Sequence, residues 1–101
     1  MQIAPFGQDA VFADALATER SWQAELARLS GTATIESWIT AATEWDKLTR
    51  PHDSAYCRWR AAQVALRDGQ GTVAARILKR ATSDARTHVP LSAEIRRLGS
   101  Q

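Results

Sequence analysis

Apolar residues recur at steps of three and four along nearly the whole chain, and this spacing constrains the fold more than any other feature. Such steps place side chains on one face of an α-helix, whereas a half-buried strand requires strict alternation of apolar and polar residues. No stretch alternates in that way, and the β-branched residues are scattered along the chain. The sequence therefore predicts an all-α protein.

Five helices are predicted, at roughly residues 9–29, 34–49, 51–68, 72–87 and 90–98. Residues that favour helix ends separate them: a possible N-cap at Thr34, a proline suited to a first helical turn at Pro51, and glycines at Gly31 and Gly69. Short loops make consecutive helices antiparallel, so we expect helical hairpins, with a simple up-down bundle as the competing arrangement.

Each predicted helix carries an apolar stripe, and the stripe of the second helix is the clearest. The first consists of Phe12, Ala15, Leu16, Glu19, Trp22, Leu26 and Leu29, of which only Glu19 is polar. The second consists of Ile35, Trp38, Ile39, Ala42, Trp45 and Leu48. Helices of this length are marginal alone, so we expect each stripe to be buried against neighbouring helices.

Length and composition indicate one globular domain spanning residues 1–101. No apolar run approaches the roughly 18 to 20 residues needed to cross a bilayer, and the first ten residues have neither a basic start nor an apolar signal core. The expected location is the cytoplasm, with no membrane partner. The single cysteine, Cys57, excludes an internal disulfide and a cysteine metal cluster.

The net charge of +2 is unevenly distributed along the chain. Residues 1–50 hold four Lys and Arg against seven Asp and Glu, whereas residues 51–101 hold nine against four. The second half is therefore basic. Solvated outer faces of amphipathic helices explain these charges most simply, and a surface for an acidic partner is the alternative.

No residue pattern predicts catalysis, a cofactor or a metal site. His52 and His88 lack partners at metal-ligand spacing, and no phosphate-binding loop or serine nucleophile motif occurs. Cys57 is predicted to be a small packing residue in an alanine-rich helix. Glu44 and Asp46 stand two apart on a predicted helix, where side chains point to different faces. We therefore expect that the chain is not an enzyme.

A contact surface is the remaining expectation. Core packing is the simpler explanation of the four tryptophans, and an apolar groove for a partner helix is the alternative. Three cations of the fourth helix share a face and could contact phosphates, which makes a small self-associating DNA- or RNA-binding protein the weaker functional alternative. The candidate surface comprises Trp22, Trp38, Trp45, Trp59, Arg76, Lys79 and Arg80.

From Trp38 to Leu98 the sequence resembles the tetratricopeptide-like helical region of large bacterial LuxR-type transcriptional regulators with an ATPase module. The resemblance rests on the run from Trp38 to Trp45, on Arg50-Pro51 followed by Ala55-Tyr56, and on Pro90-Leu91 with Glu94-Ile95 and Leu98. It implies a tetratricopeptide-like right-handed stack of hairpins that serves as a protein-interaction or scaffold module, with other domains of a regulator or a second copy as partner.

Neither the phosphate-binding loop nor the DNA-binding helix-turn-helix of those regulators is present, so we expect the chain to be a fragment or remnant of one. A truncated repeat stack exposes its last apolar face, which makes a homodimer a further expectation.

Overall fold

The structure, a computed structural model, describes the backbone of residues 5–85 and 89–99 and the side chains of residues 14–85 and 91–99. This part of the chain consists of five α-helices without a strand: α1 (Pro5–Leu29), α2 (Ile35–Lys47), α3 (Pro51–Arg67), α4 (Gly71–Asp84) and α5 (Val89–Gly99). The all-α prediction is confirmed. The predicted boundaries agree to within four residues, except that the segment 86–88 lies outside the described residues.

Two glycines end helices where the sequence predicts. Gly31 and Gly69 follow α1 and α3 with φ angles of 75° and 77°, in the left-handed region that glycine enters without steric cost. In both cases the residue after the glycine donates its N–H to the carbonyl five residues earlier, at 2.8 Å. This is the bonding pattern of a Schellman motif, which satisfies carbonyls left unpaired at a helix end.

Two helix starts also follow their sequence signals. The Thr34 side chain accepts the backbone N–H of Ser37 at 3.1 Å, and the Ser37 hydroxyl accepts the N–H of Thr34 at 3.4 Å. Together these bonds form a capping box at the start of α2. Pro51 occupies the first turn of α3, where its missing N–H costs no intrahelical bond.

The helices pack in chain order. Each one contacts chiefly its neighbours in sequence, and α3 also contacts α5. The molecule measures 54 × 31 × 20 Å, and the 25 residues of α1 extend about 37 Å at a rise of 1.5 Å each. Contacts between sequence neighbours are what short loops between helices require.

Alanine dominates the core, which consists of two clusters of buried residues. One joins α1, α2 and α3, and the other joins α3, α4 and α5. Small side chains let helix axes approach closely, and the larger residues fill the remaining space. Trp38 is the largest fully buried side chain, at 0% exposure, so replacing it by alanine would cost roughly 3–5 kcal/mol.

The expectation that α1 buries its apolar stripe is wrong. Trp22, Leu26 and Leu29 are 62%, 47% and 70% exposed, whereas Ala17 and Ala24 are buried. The small residues of α1 face α2 and α3, because they permit a closer approach than the large residues would. Phe12, which belongs to the same predicted stripe, lies outside the described side chains.

Candidate interaction surfaces

The apolar stripe that α1 presents to solvent is the most distinctive surface of the described chain. We define the α1 outer face as Ala15, Glu19, Trp22, Leu26 and Leu29, all of them exposed. Their spacing alternates between four and three, which is the seam pattern of a two-stranded coiled coil. Ala17, Ser21 and Ala24 occupy the opposite side of the helix and face the rest of the molecule.

Hydrogen bonds from α2 and α3 hold α1 in this rotation. The indole Nε1 of Trp45 donates to the Ser21 hydroxyl at 2.7 Å, and the Tyr56 hydroxyl donates to Glu25 Oε2 at 3.0 Å. Both bonds reach the inner side of α1, so the outer face must point away from the core. Burial raises the pKa of Glu25, but hydrogen bonds from Arg28 and Tyr56 outweigh that effect and lower it below its ordinary value.

Two of the four tryptophans cannot belong to the predicted surface. Trp38 and Trp45 are 0% and 8% exposed and belong to the core between α1, α2 and α3. A partner of the folded chain cannot reach them, so including them in the candidate surface was wrong. Trp59 is half-buried, and the Arg60 guanidinium lies 4.6 Å from its ring centroid. Only Trp22 is freely accessible, at 62% exposure.

The three cations predicted on α4 are all exposed, but they differ in their partners. Arg80 lies 3.5 Å from Asp46 and 3.5 Å from Asp84, in two long ion pairs. Arg76 and Lys79 form no ion pair with a described residue. The basic face of α4 therefore keeps two uncompensated cations.

A buried arginine that sequence reasoning missed joins three helices. Arg58 of α3 is 8% exposed and contacts both carboxylate oxygens of Asp46 on α2, at 2.6 and 3.1 Å. It also reaches Asp84 on α4 at 3.3 Å. The Ser54 hydroxyl completes this group, which we call the Arg58 cluster, through contacts with Arg58 and Asp46.

The cluster keeps its acidic member ionised. Burial raises the pKa of Asp46, but hydrogen bonds from Arg58 and Ser54 and the charges of Arg58 and Arg80 outweigh it, so this pKa is below its ordinary value. Ser54 and Arg58 are four residues apart, so the sequence alone places them on one face of α3. Pairing between α2, α3 and α4 depends on the fold.

Among the described residues, the side chains that could support catalysis or metal binding do not form a common site. No three His, Cys, Asp or Glu side chains stand close enough to hold a metal ion. Burial raises the pKa of the Cys57 thiol to about 11, although a hydrogen bond with Ser21 at 3.7 Å opposes it. Cys57 is thus a buried packing residue, as predicted. His52 lies in the first turn of α3, and His88 lies outside the described residues.

Comparison with known proteins leaves the family open. The chain matches no protein-family model, no curated protein and no solved structure. None of the described helices combines the length and apolar character needed to span a membrane. Any functional conclusion must therefore start from the surfaces themselves.

Proposed function

We propose that this chain is a non-catalytic protein-interaction module, related to the helical region of LuxR-type transcriptional regulators, that self-associates through the α1 outer face. One observation carries the proposal. All large hydrophobic side chains that are exposed among the described residues, Trp22, Leu26 and Leu29, lie on this single face. Contiguous exposed apolar residues rimmed by polar ones mark interaction sites.

A second copy is the partner that fits this face best. Because no other described surface exposes large apolar residues, the surface that can cover α1 with apolar contacts is the α1 outer face of another copy. Such a contact is isologous and closes as a twofold dimer instead of extending into a filament. The alternating spacing of the face suits the packing of two helices along a shared seam.

The size of the face predicts a weak dimer. A fully buried tryptophan hides about 150–250 Å² and a leucine less, so the three side chains can bury on the order of 400 Å² per copy. A standard interface buries roughly 800 Å² per partner. We therefore expect dissociation in the micromolar range and a dimer that depends on protein concentration.

Light scattering across a range of concentrations tests the proposal. The wild-type mass is expected to rise from 11.1 kDa towards about twice that value as the concentration increases. Leu26→Glu removes one of the three large apolar side chains of the seam and adds a second charge to the one that Glu19 already contributes, so it should keep the protein monomeric. Ala75→Glu adds the same charge at an exposed position of α4 and should leave the dimer intact. A wild-type monomer at every concentration, or equal effects of both substitutions, would contradict the proposal.

The family part of the proposal has separate support. The sequence from Trp38 to Leu98 resembles the regulators' helical region, and packing of each helix on its sequence neighbours suits a tetratricopeptide-like stack of hairpins. An experimental structure of the dimer tests this part, because a closed up-down bundle would exclude the stack.

Nucleic-acid binding through α4 is the weaker candidate function. It rests on Arg76 and Lys79, whereas the third cation, Arg80, is already paired with two carboxylates. Fluorescence anisotropy with labelled duplex DNA and RNA at low salt distinguishes the two functions. Salt-sensitive binding that Arg76→Gln and Lys79→Gln abolish would favour the nucleic-acid function.

A further inference from the structure

A cavity of about 130 Å³ lies beside the ends of α1 and α3, away from the α1 outer face. Three arginines line it: Arg28 from the last turn of α1, and Arg60 and Arg67 from α3. The wall also includes Trp38, Gln63 and Ala33, the last of which lies in the loop between α1 and α2. The cavity contains no carboxylate among its lining residues.

The arginine charges are only partly compensated. Arg60 forms no ion pair with a described residue, since its Nε donates to the Tyr56 hydroxyl at 2.9 Å and its Nη1 to Gln63 Oε1 at 2.9 Å. Arg67 pairs with the exposed Asp68 through Nε, at 3.1 Å. Arg28 pairs with Glu25. Each guanidinium carries five N–H donors, so these contacts leave donors on all three residues unused.

The wall of the cavity also has more unused hydrogen-bond donors than unused acceptors. The indole Nε1 of Trp38 has no hydrogen-bond partner among the described residues, but Trp38 is 0% exposed, so the spare donors that a ligand can reach are those of the three arginines. The two acceptors of the wall are already engaged: Arg67 Nη2 donates to the Ala33 carbonyl at 3.2 Å, and Arg60 donates to Gln63. A wall with spare N–H donors and positive charge is complementary to an acceptor that carries negative charge.

We propose that this cavity binds a small oxyanion, either phosphate or the carboxylate of a small metabolite. Guanidinium groups bind planar or tetrahedral oxyanions through paired N–H donors, and a partly buried site strengthens such bonds relative to water. The volume also fits, because an engineered cavity of about 150 Å³ admits a molecule the size of benzene. The site is independent of the α1 outer face, so its test and the dimer test can fail separately.

Two-dimensional NMR of the ¹⁵N-labelled chain provides the test. The indole N–H signals of the four tryptophans are followed while sodium phosphate or sodium succinate replaces sodium chloride at constant ionic strength. A saturable shift, largest for Trp38, is expected with at least one of the two anions, and the anion that binds identifies the source of the oxyanion. Trp38→Phe assigns the signal; if that variant does not fold, substituting the other three tryptophans assigns it by elimination.

Charge-matched variants separate the site from general ionic effects. Arg60→Gln and Arg67→Gln should each weaken binding about tenfold, the equivalent of one charged hydrogen bond. Arg76→Gln removes the same charge from an exposed position of α4 that does not line the cavity, and should change binding less than about twofold. Two cavity variants are used because one of them could perturb folding. Circular dichroism detects such a perturbation. Absence of a saturable shift with both anions, or equal losses in all three variants, would overturn the proposal.

Discussion

At the scale of single residues, the Arg58 cluster is the contact that most clearly links distant parts of the chain. One guanidinium binds Asp46 of α2 through two oxygens and Asp84 of α4 through one. A buried ion pair adds little stability relative to an apolar replacement, but removing one partner leaves an uncompensated charge in the core. The cluster therefore links the packing of α2, α3 and α4 through one buried guanidinium and two carboxylates.

Asp46→Asn tests that dependence. The substitution removes one of the two carboxylate charges that face the buried Arg58 and leaves Asp84 as the other, so we expect the free energy of unfolding to fall by about 2 kcal/mol. Urea unfolding followed by circular dichroism measures the change. Glu94→Gln breaks the ion pair with Arg97, in which both side chains are exposed, and should cost less than about 0.5 kcal/mol. Equal losses in the free energy of unfolding of the two variants would show that the buried ion pair contributes no more to stability than the exposed one.

The same carboxylate predicts a pH dependence. Because the pKa of Asp46 is lower in the folded chain than its ordinary 3.8, the carboxylate stabilises the fold at pH values above 3.8. This contribution is lost as the pH falls through the folded pKa. The stability difference between wild type and Asp46→Asn should therefore be constant above about pH 5 and shrink below about pH 4. Urea midpoints across this range measure it, and a gap that widens in acid would contradict the assignment.

At the scale of helices, three helix ends within the described residues are followed by a residue in the left-handed region. Two of these residues are glycines, but Thr49, which follows α2, adopts a φ of 55°. Its N–H donates to the Asp46 carbonyl at 3.0 Å, and the next N–H donates to the Trp45 carbonyl at 3.1 Å. The bonding pattern thus matches that of the glycine-ended helices, although a β-branched residue rarely adopts this conformation.

Thr49→Gly should stabilise the protein. Glycine occupies the left-handed region without the roughly 1–2 kcal/mol penalty of an L side chain, although its unfolded state is more flexible. We expect a net gain of about 1 kcal/mol in urea unfolding. Thr43→Gly makes the same change inside α2, where it should destabilise the chain. A loss of stability in both variants would show that the conformation of Thr49 carries no strain.

At the scale of the whole molecule, packing in chain order means that stability is unevenly distributed. The central helix, α3, contributes to both core clusters, whereas α5 contributes to one and, among the described residues, packs chiefly on α4 and on part of α3. Segments with few buried contacts open at a lower free energy than the rest of a fold. The end of the molecule formed by α5 is therefore expected to open first.

Hydrogen exchange detects this order directly. At a concentration low enough to keep the protein monomeric, the amides of α5 should exchange fastest among the helices and those of α3 slowest. Leu98→Ala, which trims a half-buried side chain of α5, should accelerate exchange in α5 and leave α3 unchanged. Uniform exchange across all five helices would indicate a single cooperative unit instead.

Local sequence signals were sufficient for the elements of this protein. The helical period, the Thr34 cap, Pro51 and the two glycines predicted five helices and their ends, because each signal acts within a few residues of backbone. The buried packing role of Cys57 also follows from its position within an alanine-rich helix.

Tertiary contacts were needed to establish which side of α1 faces the core. Its sequence contains both a stripe of large apolar residues and a stripe of small ones, and periodicity alone favoured burial of the large residues. Bonds from Trp45 and Tyr56, 24 and 31 residues away from their partners on α1, fix the opposite rotation. The Arg58 cluster and the arginine-lined cavity depend on the fold for the same reason. Their residues are distant in sequence, and packing of the helices brings them together.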